Sequence, residues 1–154
     1  LEQGTEINLH VPALIPDDYL PDINARLVLY KRIAGAGSND ALREIQVEMI
    51  DRFGLLPPHV SNLVELSRLR LRAEDLGIRG IEVGGSGGTI EFKDTTRVNP
   101  MSLVKLVQSD PHAYKLAGAT RFKFVCELPE LSDRQQFIDN LLDNFHSDIA
   151  EPAA

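Results

Sequence analysis

With a single cysteine, Cys126, the chain has no second thiol for an internal disulfide, and its four histidines share no spacing that suits a zinc site. The staples that hold small secreted domains together are missing, which points to a reducing compartment, the cytoplasm. Apolar runs are short. None approaches the ~18 residues of a membrane span, so no membrane contact is expected. Positive charge is scarce too, with 16 lysines and arginines against 23 aspartates and glutamates and a net charge of −7. That is the wrong sign for a domain whose main task is gripping a phosphate backbone, and it favours basic partners. The first residue is Leu1 rather than methionine, and Leu1 to Thr5 carry neither the basic nor the apolar stretch of a signal peptide. Residues 1–5 read as a linker or a remnant of cutting, ahead of a segment taken from a longer polypeptide.

What is present suffices for one core. A chain of 154 residues, 43% hydrophobic, hides roughly 70% of the surface that its unfolded form exposes. Ile7, Leu9 and Val11 alternate with polar residues, the period of a half-buried strand. Beyond the loop punctuated by Pro12, Pro16 and Pro21, Asp22 is placed to cap a first helix with Ile23, Leu27, Tyr30 and Ala34 on its buried face, stopped by Gly35 and Gly37. Ser38, Asn39 and Asp40 offer caps for a second helix, whose Leu42, Ile45, Met49 and Phe53 form one stripe before Gly54 ends it. Pro57 and Pro58 open a third, apolar around most of its circumference and therefore central. After Gly77 the period changes to two, with Ile81 and Val83, then Ile90 and Phe92, joined by the glycine-rich tract 84–88. Asn99 and Pro100 start a short helix. Tyr114 and Leu116, a turn near Gly118, and Phe122, Phe124 and Cys126 make a second hairpin, and a capping box of Ser132 and Gln135 opens a last helix burying Ile138, Leu141, Leu142, Phe145 and Ile149. The fold class is α+β: a single domain with an N-terminal strand, three helices, then two β-hairpins each followed by a helix. Only the neighbourhood of Gly77 is weak enough for a boundary.

Catalytic patterns are mostly missing. The glycines at 84–88 lack the lysine of a phosphate cradle and lead into a strand, so they read as a mobile hairpin loop. Asp17, Asp18 and Asp22 are grouped as oxygen ligands for a divalent cation or an acid–base pair would be, which keeps a small metal-dependent enzyme in view, although a solvated loop with a helix cap accounts for them. Cys126, on the apolar side of its strand, reads as buried and inert. A nucleic-acid-binding module would use Arg68, Arg70, Arg72 and Arg79 and the strand Arg121, Phe122, Lys123, Phe124 and Val125, where aromatics and cations interleave. Against it, Phe122 and Phe124 share a face with Cys126, and the arginines fall on different sides of the third helix. The outer face of the second helix is more distinctive. Glu44, Glu48 and Asp51 stand nearly opposite its apolar stripe, either as a solvated face or as a docking stripe for a partner's arginines.

The run from Pro16 through Asp17, Asp18, Tyr19, Leu20, Pro21 and Asp22, continuing with Asn24, Arg26, Leu27 and Leu29 to Ala34, resembles the C-terminal domain of bacterial transcription-repair coupling factors. Glu48 to Pro57, then Leu76, Gly77 and Ile78, and the strand ending Ile90, Glu91 and Phe92 follow in that family's order, so the resemblance spans residues 6 to about 145. It implies a parent that is an ATP-driven DNA translocase, with ATP and magnesium used in its motor and none in this segment. That parent displaces stalled RNA polymerase and recruits excision repair through a UvrB-like module that binds UvrA. By the same resemblance, residues 6–149 are a non-enzymatic regulatory domain that packs on the UvrB-like module and masks its UvrA-binding surface. Contact with UvrA, RNA polymerase and DNA would come through the parent. The domain is expected to be monomeric, and residues 150–154 to be a frayed tail. The family's arginine-bearing partner surface gives Glu44, Glu48 and Asp51 the docking role, with Arg52 at the rim.

Overall fold

The computed structural model describes residues 4–147 and Ile149. Residues 1–3 of the expected linker and the whole of the expected tail lie outside the described residues. Five helices and one five-stranded sheet among the described residues make the mixed α+β fold that the periodicities predict. Contacts gather the chain into two compact units, Val11–Leu71 and Leu1–His10 with Arg72–Ala154. The division falls within a helix, ahead of Gly77.

The unit Val11–Leu71 is built on α1 (Ile23–Ala34), α2 (Asn39–Phe53) and the first part of α3 (Pro58–Leu76). Each start is written locally: the Asp22 side chain accepts from the Asn24 N–H, and the Ser38 hydroxyl from that of Ala41. Gly54 ends α2 at φ 96°, a conformation that favours glycine. Leu42, Ile45 and Met49 are buried as their spacing predicts, and pack with Ile15, Leu20, Leu29, Ile33 and Val60. Burying each such side chain contributes about 1.5–3 kcal/mol. The buried face of α1 is not the expected one. Leu29 and Ile33 point inward, whereas Ile23, Leu27 and Ala34 are exposed and Tyr30 is half-buried. The helix carries two apolar stripes. Both Ile23 with Leu27 and Leu29 with Ile33 have charged neighbours, and it is the second pair that packs with Leu42, Ile45 and Met49 in the core.

In the other unit the sheet runs β1 (Glu6–Asn8), β2 (Ile78–Gly84), β3 (Gly87–Phe92), β5 (Arg121–Val125) and β4 (Tyr114–Ala117). β1 is parallel to β2, with Ile7 opposite Ile81, and the remaining pairs are antiparallel. β1 is shorter than the alternation implies. The chain leaves the ladder at Leu9, whose carbonyl receives the Arg134 guanidinium at 2.8 Å. Val83, Ile90, Phe92, Phe122 and Phe124 line one face of the sheet. α5 (Leu131–Ser147) covers it through Phe137, which meets Phe124, and Phe145, which meets Phe92 and Phe122 edge-on. α4 (Pro100–Ser109) starts where Asn99 caps the Met101 N–H.

Four local expectations need correction. The glycine tract is not a mobile loop: Gly84, Gly87 and Gly88 belong to strands, and only Gly85 and Ser86 make the turn. The box opening α5 is shifted, since the Asp133 carboxylate reaches back to the Glu130 N–H and the helix begins at Leu131. Cys126 is half-buried rather than buried because β5 ends at Val125, after which its N–H turns to the Ser86 carbonyl. Ile149 is likewise only half-buried.

Candidate functional site

The outer face of α2 carries the predicted docking residues, and the helix holds them rigidly because its opposite stripe is locked in the core. Glu44, Asp51 and Arg52 are exposed and Glu48 is half-buried. Together with Asp40, Arg43 and Val47 they line one open groove of about 660 Å³. The structure therefore brings all four predicted residues to one surface.

Their electrostatics differ. Glu48 is held from two sides, by Arg32 of α1 through both guanidinium nitrogens and by Arg52 at 3.6 Å. The hydrogen bond from Arg32 is the main reason its carboxyl sits below the usual carboxylate range, with the charges of Arg32 and Arg52 adding to it against a smaller desolvation cost. Arg52 also lies over the Phe53 ring, 4.8 Å from its centroid, which fixes its position at the rim. Glu44 and Asp51 have no ion-pair partner among the described residues. The charge available to a partner is thus carried by Glu44 and Asp51, one on each side of a neutralised Glu48.

Two participants escaped the sequence reading. Val47 is 54% exposed in the middle of the acidic face, an apolar anchor ringed by charge, and its place between Glu44 and Asp51 at helical spacing was the available signal. Arg32 could not be found that way, since only the packing of α1 on α2 brings it to Glu48.

Three of the arginines of the nucleic-acid alternative are engaged within the chain, while Arg79 is exposed. Arg68 pairs with Glu65, Arg70 donates to the Ala36 carbonyl, and Arg72 bridges Asp139 and Asp143 at 2.7 and 2.6 Å. Phe122 and Phe124 are core. The open face of the sheet instead shows Arg121 and Lys123, and Arg121 donates to Glu91 at 3.0 Å. The Thr120 hydroxyl, and then Arg121, hold the Glu91 carboxyl below its usual range. Of the aspartates considered as metal ligands, Asp22 caps α1, while Asp17 and Asp18 are exposed. No group of three potential ligands is gathered among the described residues.

A family model described as the TRCF domain matches residues 9–103. The chain is 47% identical over 146 residues to a transcription-repair-coupling factor of Escherichia coli, covering 92% of this chain and 13% of that protein. It is 46% identical to the corresponding protein of Haemophilus influenzae, covering 92% of this chain and 12% of the relative. The chain thus spans only about an eighth of the length of these relatives. Its fold matches a solved structure described as the C-terminal domain of transcription-repair coupling factor, with a TM-score of 0.75, 22% identity, and coverage of 94% of this chain and 95% of that one. No helix among the described residues is long and apolar enough to cross a membrane.

Proposed function

The chain belongs to the transcription-repair-coupling factor family through its TRCF domain, and from that premise we propose that it is a regulatory protein-interaction domain acting within a longer polypeptide. The α2 face docks on the UvrB-like module of the parent and masks the surface that binds UvrA. The parent's ATP-dependent translocation, its displacement of RNA polymerase and its contacts with DNA belong to other segments, and this reading assigns the chain no catalytic residue and no cofactor.

One observation carries the reading: on either side of Val47, on a rigid helix, Glu44 and Asp51 have no ion-pair partner among the described residues. An arginine arriving at Glu44 or Asp51 meets a carboxylate that gives up no existing ion pair. At Glu48 it must compete with Arg32 and Arg52. Each exposed pair contributes about 0.2–1 kcal/mol, so the mask is weak enough to be lifted by a moderate signal, and apolar contact at Val47 supplies part of the hold.

Calorimetric titration against the UvrB-like module, at low and moderate salt, tests this. The Glu44→Lys/Asp51→Lys variant is expected to lose binding while unfolding at nearly the same temperature, because neither side chain has an ion-pair partner among the described residues. Glu48→Gln is expected to weaken binding less and to lower stability slightly. Unchanged binding of the double variant would move the docking surface elsewhere on the domain.

A further inference from the structure

From α4 to β5, residues 100–125, the chain reverses its charge. Lys105, Lys115, Arg121 and Lys123 stand there against a single carboxylate, Asp110, although the chain as a whole carries a net charge of −7. That carboxylate is turned to the backbone, where its Oδ1 accepts from the His112 and Ala113 N–H groups. The sheet gathers the cations further. Lys115 of β4 stands directly opposite Lys123 of β5, and Lys123 alternates with the buried Phe122 and Phe124, so both lysines rise from the open face. Both are exposed, and neither has an ion-pair partner among the described residues. The neighbouring Glu91 is already held by Thr120 and Arg121, and the residue opposite Lys123 on β3 is the uncharged Thr89. Glu82 lies one strand farther, opposite Thr89 and 3.7 Å from His10.

Two like charges about 5 Å apart at their β-carbons destabilise the sheet that holds them. A lysine on an edge strand guards it against pairing with another chain. That accounts for Lys115 but not for Lys123, because β5 lies between β3 and β4. An anion set between the two ammonium groups offsets the repulsion and makes two charge-assisted contacts at once. Beside them Val125 is 65% exposed, and the residue opposite it on β3 is Gly87, which has no side chain to cover it. From these observations we infer that the face of Lys115, Lys123 and Val125 is a docking site for an acidic segment of a partner protein. An aspartate or glutamate of that segment sits between the two lysines, and an apolar side chain next to it packs on Val125. Nucleic acid fits less well. Phe122 and Phe124, the aromatics of β5, are buried and cannot stack on bases. A long polyanion also runs on past the lysines over the acidic remainder of the chain, which a short segment does not. None of Lys115, Lys123 and Val125 lines the α2 groove, so the inference stands whether or not that groove docks on the UvrB-like module.

The test is titration of the isotopically labelled chain with a synthetic peptide of aspartates, glutamates and leucines, followed by amide chemical shifts. The control is the same peptide with asparagine and glutamine in place of the acids. Shifts are expected at Lys115, Lys123 and Val125 with the acidic peptide and not with the control, and they should fade as salt rises. Lys115→Gln/Lys123→Gln is expected to weaken binding about threefold to thirtyfold, the combined worth of two exposed ion pairs. Its unfolding temperature should stay level or rise, because a like-charge pair is lost, so weaker binding cannot be put down to a damaged fold. Glu44→Gln/Asp51→Asn should leave the response at β4 and β5 intact. Equal binding of the control peptide, unchanged binding of the lysine double variant, shifts confined to other strands or helices, or the absence of shifts would overturn the proposal. So would tighter binding of a duplex DNA oligonucleotide at the same residues, which would assign the face to nucleic acid, or a sedimentation-detected dimer dispersed by Lys115→Gln/Lys123→Gln, which would assign it to a second copy.

Discussion

At Gly88, a β-carbon added to the backbone would lie 2.0 Å from the Glu82 carbonyl oxygen, and at Gly87, where φ is 132°, another would lie 2.2 Å from that of Phe124. The neighbours are ladder backbone, which cannot yield as the end of a flexible side chain would. Gly88→Ala is therefore expected to destabilise the sheet by about 1–3 kcal/mol, read as a lower urea midpoint at unchanged slope. A midpoint equal to that of the parent would mean that the two strands separate freely there. The glycines were visible in the sequence, but their reason was not. Clustered glycines signal either a loop or close backbone approach, and only the pairing of Gly84 with Gly87 and Gly88 with Phe124 distinguishes the two. The docking residues show the same division. Helical spacing alone gathers Glu44, Glu48, Asp51 and Arg52, but whether each carboxylate is free depends on Arg32, a residue from another helix.

Elements whose pattern has a single solution were legible apart from their ends, where Phe53, Cys126 and Ile149 are only half-buried. The Leu42, Ile45 and Met49 stripe, the alternation of Phe122 and Phe124, and the buried run of Ile138, Leu141, Leu142 and Phe145 all came out as spacing required. α1 has two stripes and so two solutions, and periodicity cannot rank them; packing with the α2 stripe decides. The sheet illustrates a property of pairing. Lys115 on β4 stands directly opposite Lys123 on β5, two like charges that cross-strand pairing penalises. Lys123→Glu is expected to raise stability by about 0.2–1 kcal/mol, the worth of an opposite-charge pair over a like-charge one, measured by thermal or urea unfolding at low salt. A loss of stability would show that Lys123 contributes through its aliphatic stem.

On the scale of the molecule, the net charge of −7 acts at a distance as well as in contact. Association with a basic partner is expected to be steered, so its rate constant should fall roughly tenfold or more between low and high salt while the dissociation rate changes little. Stopped-flow mixing with the UvrB-like module measures this, and a salt-independent rate would assign recognition to the apolar contact at Val47. The sequence by itself determined the α+β class, the element order, most of the core and the candidate docking residues on α2. Each of these follows from periodicity and capping, which are local, and the family membership follows from a motif run that is local too. Only the tertiary structure decided which stripe of α1 is buried, that Glu48 is neutralised while Glu44 and Asp51 have no ion pair among the described residues, and that Arg68, Arg70 and Arg72 are taken up internally. Those outcomes depend on which residues distant in sequence meet, and meeting is settled by packing and by the cost of burying a charge unpaired.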